Sequence, residues 1–282
     1  MAIPCDPQSL MEAARCLTCL SAGEMDAAQL ALMCSWANAV AGTPVVPVIP
    51  PFDPSSLGNL QGWFKADSLN LPNNTLVGDG VTTDWLDSSG NGHTMTQTSV
   101  PAEPAFQTNI FGTMPGIQMI GGTTVFLKTS PTSFNFPGDY TLFFAFKPNV
   151  ISDNLLMGQD AINMQVRIAR LGSNSAVSIY DGGTEVVCNN MTGVGVGVTP
   201  RCLVYRRTGV AVDFLFNNVV FPPTSGFTSN GNLFLNSLCK SIPSGVPCLN
   251  GWLGEVLLYS DFKSNADCTT IYNYLKTRWG LP

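Results

Sequence analysis

Turn signals of one kind cut the chain into short apolar runs from residue 57 onward. Asn91-Gly92, Asp181-Gly182-Gly183 and Asn230-Gly231 are hairpin sequences, because Asn, Asp and Gly accept the positive φ that tight turns need. Many of the intervening runs are rich in β-branched and aromatic residues. They read as strands over 60–66, 116–120, 124–127, 140–147, 164–170, 176–180, 184–188, 201–207, 210–216, 232–235 and 252–259. Many short strands joined this way predict a mainly β chain folded as a sandwich or jelly roll. The period then changes. Ser264 is placed to cap a helix in which Cys268, Ile271, Tyr272, Leu275 and Trp279 recur at helical spacing, and Gly280 stops it. One amphipathic helix of this kind closes a β-domain by laying its stripe on a sheet. No internal repeat is visible.

The N-terminus has another grammar. Residues 1–40 read as an α-helical hairpin: Asp6 caps the first helix ahead of Pro7, and Ser21 with Glu24 forms a capping box for the second. Leu10, Met11, Leu17, Leu20, Met25, Leu30, Leu32, Met33 and Trp36 put apolar groups on nearly every face. Such helices need burial all round, so these residues are expected to dock on a partner, on copies of the chain, or on its remainder. Residues 41–56 carry five prolines, which forbid helix and disfavour a central strand. Extended, this linker reaches up to roughly 50 Å. The expected organisation is a hairpin anchor at 1–40, a Pro-rich linker at 41–56 and a β-domain at 57–282.

Charge decides what partners are excluded. Only 11% of the 282 residues are Asp, Glu, Lys or Arg, and the net charge is −6. Nucleic acid demands clustered Lys and Arg, and the single basic pair, Arg206-Arg207, lies in an apolar strand-like segment. Polarity comes instead from 24 Thr, 22 Ser and 22 Asn. With 45% hydrophobic residues the chain is not globally disordered. No apolar run reaches the roughly 18 residues that span a bilayer. The first residues lack the basic and apolar regions of a signal peptide, so the protein is expected to be made and used without secretion.

Several segments resemble one family. LQGWFKADSLNL (60–71), DWLDSSGNGHTMTQ (84–97), FGTMPGIQMIGG (111–122), DYTLFFAFKP (139–148) and GWLGEVLLYSDFKSNADCTTIYNYLKTRWGLP (251–282) are similar, in order, to stretches of laminin-G-like, concanavalin A-like jelly rolls of bacterial and phage proteins. The resemblance implies a β-sandwich jelly roll over 57–282 with a closing C-terminal helix. It does not imply one activity, since this fold carries adhesins, lectins, glycosidases and structural modules. The hairpin, with its C-x-x-C, more faintly resembles N-terminal segments of structural proteins of tailed phages.

Candidate chemistry is sparse, and no catalytic residue is assigned. Retaining glycosidases hold two carboxylates about 5–5.5 Å apart. The chain has five Glu, and only Glu24 has an acidic neighbour at i+2, Asp26, in the hairpin rather than on a strand. Glu255 lies on a strand with Asp261 six residues on. The one histidine, His93, reads as an exposed turn residue. Asp84, Asp87 and Asn91 offer hard oxygens for calcium, although Asp and Asn beside glycines commonly bond their own backbone. Cys5, Cys16, Cys19 and Cys34 are the right inventory for zinc, for buried thiols, or for an inter-helix disulfide. No cofactor is expected beyond a calcium option. Trp63, Trp252 and Trp279 read as core, Trp85 is ambiguous, Tyr180 and Tyr205 read as core, and no glycan site is located.

The resulting expectation is a non-enzymatic structural protein of a tailed-phage virion, assembled in the host cytoplasm. Residues 1–40 would bind other virion proteins, the chain would form a homo-oligomer, and the jelly roll would face outward as a decoration domain or as an adhesin for host-surface glycans. A secreted bacterial carbohydrate-binding module and a glycoside hydrolase are the competing classes.

Overall fold

The structure is a computed structural model. It describes residues 52–97, 103–120, 126–130, 133–149, 154–159, 164–171, 174–181, 185–188, 199–223, 231–239 and 248–282. The hairpin, its docking residues (Leu10 through Trp36), Cys5, Cys16, Cys19, Cys34 and most of the linker lie outside them.

Two antiparallel sheets carry the fold. In spatial order the first is β16 (Val219–Phe221), β15 (Ala211–Phe216), β14 (Arg201–Thr208), β9 (Tyr140–Pro148), β19 (Asn250–Tyr259), β6 (Met114–Ile120), β5 (Ala105–Phe111) and β2 (Thr75–Leu76). A further strand, β1 (Leu60–Lys65), pairs with the C-terminal half of β19, from Leu60↔Tyr259 to Lys65↔Glu255. The second sheet runs β13 (Glu185–Cys188), β12 (Asn174–Asp181), β11 (Met164–Leu171), β10 (Asn154–Gly158), β18 (Ser237–Leu238), β7 (Leu127–Ser130), β4 (Thr94–Thr96) and β3 (Trp85–Leu86). A ribbon of β8 (Phe134–Phe136) and β17 (Leu233–Leu235) stands beside them. This is the expected mainly β sandwich with a single C-terminal helix.

Aromatic side chains fill the space between the sheets. Phe64 of β1 meets Trp85 of β3 edge-on at 5.8 Å and Phe134 at 6.2 Å. Tyr205 packs between Phe144 and Phe214, and its hydroxyl donates across to the Arg167 carbonyl at 2.8 Å. A phenol buried on every side needs such a partner. Gly62 has no side chain because a Cβ there would stand 2.8 Å from the Phe134 ring.

The central strands are apolar on both faces. In β9 every residue but Lys147 is buried, because the sandwich covers one face and the helix α1 (Asn265–Trp279) covers much of the other. Ser264 accepts from the Asp267 amide while the Asp267 carboxylate accepts from the Ser264 amide, a reciprocal capping box. Gly280 ends the helix in the left-handed region at φ 62°. The stripe Cys268, Ile271, Tyr272, Leu275 and Trp279 is buried, as its spacing predicts.

Asp53–Pro282 forms one compact unit, which begins inside the stretch read as linker. Asp53 caps a short 3-10 turn over Pro54–Leu57, and Tyr259 and Lys263 donate to the carbonyls of Pro54 and Leu57. Five of the nine cysteines are described. Cys188, Cys202 and Cys268 are buried free thiols, whereas Cys239 and Cys248 form a disulfide that their scattered positions did not suggest.

Candidate functional site

The residues singled out by the family motif turn out to build the frame. Asp87 Oδ1 accepts from the amides of Trp63 and Ser89, each at 2.8 Å. Asn91 Nδ2 donates to the carbonyls of Leu60 and Gln61 at 2.7 and 3.1 Å. The loop is thus laced onto the free edge of β1. Asp84 Oδ1 accepts from the Gly80 amide at 2.8 Å, in a turn where Asp79 gathers the amides of Val81, Thr82 and Thr83. Those hydrogen bonds, Thr83's first, hold the Asp79 carboxyl well below the usual carboxylate range. The oxygens offered for calcium at Asp84 and Asp87 are therefore turned to amide donors, and Asn91 acts through its nitrogen. No cluster of three or more His, Cys, Asp or Glu that could hold a metal occurs among the described residues. His93 departs from its expected exposure: its ring lies 4.3 Å from that of Phe134, and it is half-buried.

Glu255 is the second cluster. It is 1% exposed. Its Oε1 accepts from Trp63 Nε1 at 2.5 Å and Tyr274 Oη at 2.9 Å, and its Oε2 accepts from Trp279 Nε1 at 2.6 Å. Arg278 Nε stands 3.3 Å from Oε2, and the same guanidinium pairs with Asp67. Burial pushes the carboxyl above its ordinary value. The bonds from Trp63 and Trp279, the Arg278 charge and the Tyr274 bond pull it part of the way back. Asp261 is occupied elsewhere, with Lys263 at 2.8 Å. The strand carboxylate therefore locks β1, β19 and α1 together, with both oxygens spent on donors.

The third cluster lies on the outer face of the first sheet. Along β19 that face carries Trp252, then Glu255, Leu257 and Tyr259, which register with Lys147, Ala145, Phe143 and Thr141 of β9. Glu255 takes two hydrogen bonds and a charge contact from α1, and Trp252, nearer the start of the strand, is half-exposed. Gly116 of β6 makes room for it, since a Cβ there would meet Trp252 Cβ at 3.1 Å and Phe111 at 3.0 Å. Trp252 Nε1 donates to Gln107 Oε1 at 2.9 Å, and Gln107 Nε2 donates to Gln118 Oε1 at 2.5 Å. Lys147 Nζ donates to the Ile110 carbonyl at 2.9 Å and lies 5.9 Å from the Trp252 ring centroid. At one end of the platform Ile120 is 55% exposed. A half-exposed indole with carboxamides at its edge and an ammonium over its ring is a surface that a sugar can contact while its hydroxyls find partners.

Sequence pattern had assigned Trp252 to the core. A tryptophan on a strand covered on both faces cannot be told from one just past the covering helix. The flanking Lys147, Gln107 and Gln118 were the available signal. Trp85, the ambiguous tryptophan, is fully buried and donates to the Lys65 carbonyl at 2.8 Å. Trp63 is half-exposed under Lys65, 4.0 Å from its ammonium. Trp279 and Tyr205 are core, and Tyr180 is half-buried. Arg206 and Arg207 are both buried. Arg206 pairs with Asp213 at 2.5 Å, and Arg207 donates to the Gly231 and Pro137 carbonyls.

Comparison with known proteins places the fold. No family model matches the chain, and no curated protein sequence matches it. Among solved structures, the binding domain of botulinum neurotoxin serotype G superposes with a TM-score of 0.53 at 9% identity, over 79% of this chain and 54% of that one. Domain 4 of AbnA, a GH43 extracellular arabinanase from Geobacillus stearothermophilus, in complex with arabinotriose, gives 0.45 at 14% identity, over 76% and 98%. The CBM40 of a Ruminococcus gnavus sialidase, bound to α2,3-sialyllactose, gives 0.40 at 12% identity, over 56% and 96%. The chain spans about half the length of the toxin chain. At these identities the likeness is one of fold.

Proposed function

We propose that this protein binds glycans without cleaving them, through the outer-face platform around Trp252. The part-exposed indole with its carboxamide relay carries this reading. The sandwich fold is shared with the binding domain of a botulinum neurotoxin. Glu255, the strand carboxylate nearest to a catalytic arrangement, has both oxygens engaged by buried donors and so is poorly placed for general acid work. We propose further that residues 1–40 dock the chain into a tailed-phage virion, where repeated copies turn weak single sites into firm attachment.

Binding of the full chain to immobilised host-surface polysaccharides tests the first part. Trp252→Ala should weaken capture at least tenfold with an unchanged circular dichroism spectrum. Release of reducing ends by the wild type would overturn the non-catalytic reading. Capsid, portal or tail genes beside its own are expected from the second part, and their absence counts against it. One observation favours the secreted carbohydrate-binding module instead. The Cys239–Cys248 disulfide suits a chain that matures in an oxidising compartment.

A further inference from the structure

The same platform is unevenly equipped for hydrogen bonding, and this specifies its ligand more narrowly. The relay runs in one direction. The indole N–H is given to Gln107 and the Gln107 amide N–H to Gln118, so the last free group of the chain is the Gln118 NH₂, a donor. Lys147 spends one of its three ammonium hydrogens on Ile110. The residues named around Trp252 include a positive charge and no carboxylate, on a protein whose net charge is −6. A local cationic, donor-rich spot on an acidic molecule fits a ligand that brings acceptors and a negative charge.

Resting on the glycan-binding reading, we propose that the platform selects a carboxylated sugar, its ring on the Trp252 indole and its carboxylate on Lys147 Nζ, with Gln118 Nε2 donating to a ring or hydroxyl oxygen. The ammonium lies over the same indole, 5.9 Å from its centroid, so one sugar with an exocyclic carboxylate can touch both. A neutral sugar of the same shape keeps the stacking and forfeits the charge-assisted bond, which is the stronger kind.

Two matched pairs test this on the full chain by titration of tryptophan fluorescence. One pair is trigalacturonate and its methyl ester, and the other is α2,3-sialyllactose and the methyl ester of its sialic acid. At least one acid is expected to bind tenfold or more tightly than its neutral partner, with the gap shrinking as salt is added. Lys147→Gln keeps an amide donor on a shorter side chain and removes the charge, so it should erase the gap between each acid and its neutral partner. Equal affinities within both pairs, or a gap that survives Lys147→Gln, overturn the proposal. So does failure of both acids to bind. If neutral glycans are then still captured and Trp252→Ala still abolishes capture, the glycan reading stands and only the carboxylate selection falls. If nothing is captured, both fall.

Discussion

Glu255 shows how much one buried side chain can organise. Three hydrogen-bond donors and the Arg278 charge, from two elements, converge on its carboxylate, and removing it leaves Trp63, Trp279 and Tyr274 without their acceptor. Breaking a buried charged pair from one side costs roughly 3–5 kcal/mol, so Glu255→Ala is expected to lower the urea midpoint sharply. The group also sets a pH slope. Burial raises its pKa above the ordinary 4.5, so the folded form holds the proton more tightly than the unfolded form. Stability should then fall as pH rises from about 4.5 through the raised value, and level off above it. Glu255→Gln cannot titrate, so urea melts between pH 4 and pH 8 should show a shallower decline than in the wild type. Parallel profiles would show that this carboxyl titrates alike in both states. At this scale the sequence was only partly legible. Glu255 was recognisable as a strand carboxylate, but its partners come from positions 63, 274, 278 and 279, and no local pattern announces such a convergence.

Among the elements, α1 and β19 approach each other closely at Gly254. Gly254 faces Trp279, and an added Cβ would stand 2.8 Å from the indole. The buried ring has nowhere to retreat, so Gly254→Ala should destabilise by about 1–3 kcal/mol, seen as a lower melting temperature. Gly280→Ala, at the open helix end, forces a Cβ into the left-handed region without a clash and should cost less. Elements with strong periods were readable in advance. The helix over Asn265–Trp279 and the strands β9, β11, β14, β15 and β19 stand where their patterns put them. The strands missed fall into two groups. β2, β3, β4, β8, β16 and β18 are only two or three residues long, too short for alternation to register. β5 and β10 carry Gln, Asn or Gly among their apolar residues, which obscures the alternation.

Among the described residues, reduced, buried thiols stand beside one covalent link. Cys188 and Cys268 are pushed up to about 11 by burial, and Cys202 further still, so none is a ready nucleophile. Alkylation of the native chain should spare these three and label them after unfolding, while a non-reducing peptide map recovers Cys239 joined to Cys248. The link closes a nine-residue separation and contributes about 2–3 kcal/mol on chain-entropy grounds. Full reduction should lower the unfolding midpoint accordingly. The pairing of β1 with β19 has a consequence for how the protein comes into being. The strand at the start of the unit finds its neighbour only in the strand near its end, so a ribosome must deliver nearly all of the domain before that ladder can close. Until then the growing chain carries an open ladder and a bare aromatic row, and its synthesis depends on whatever shields them during that wait.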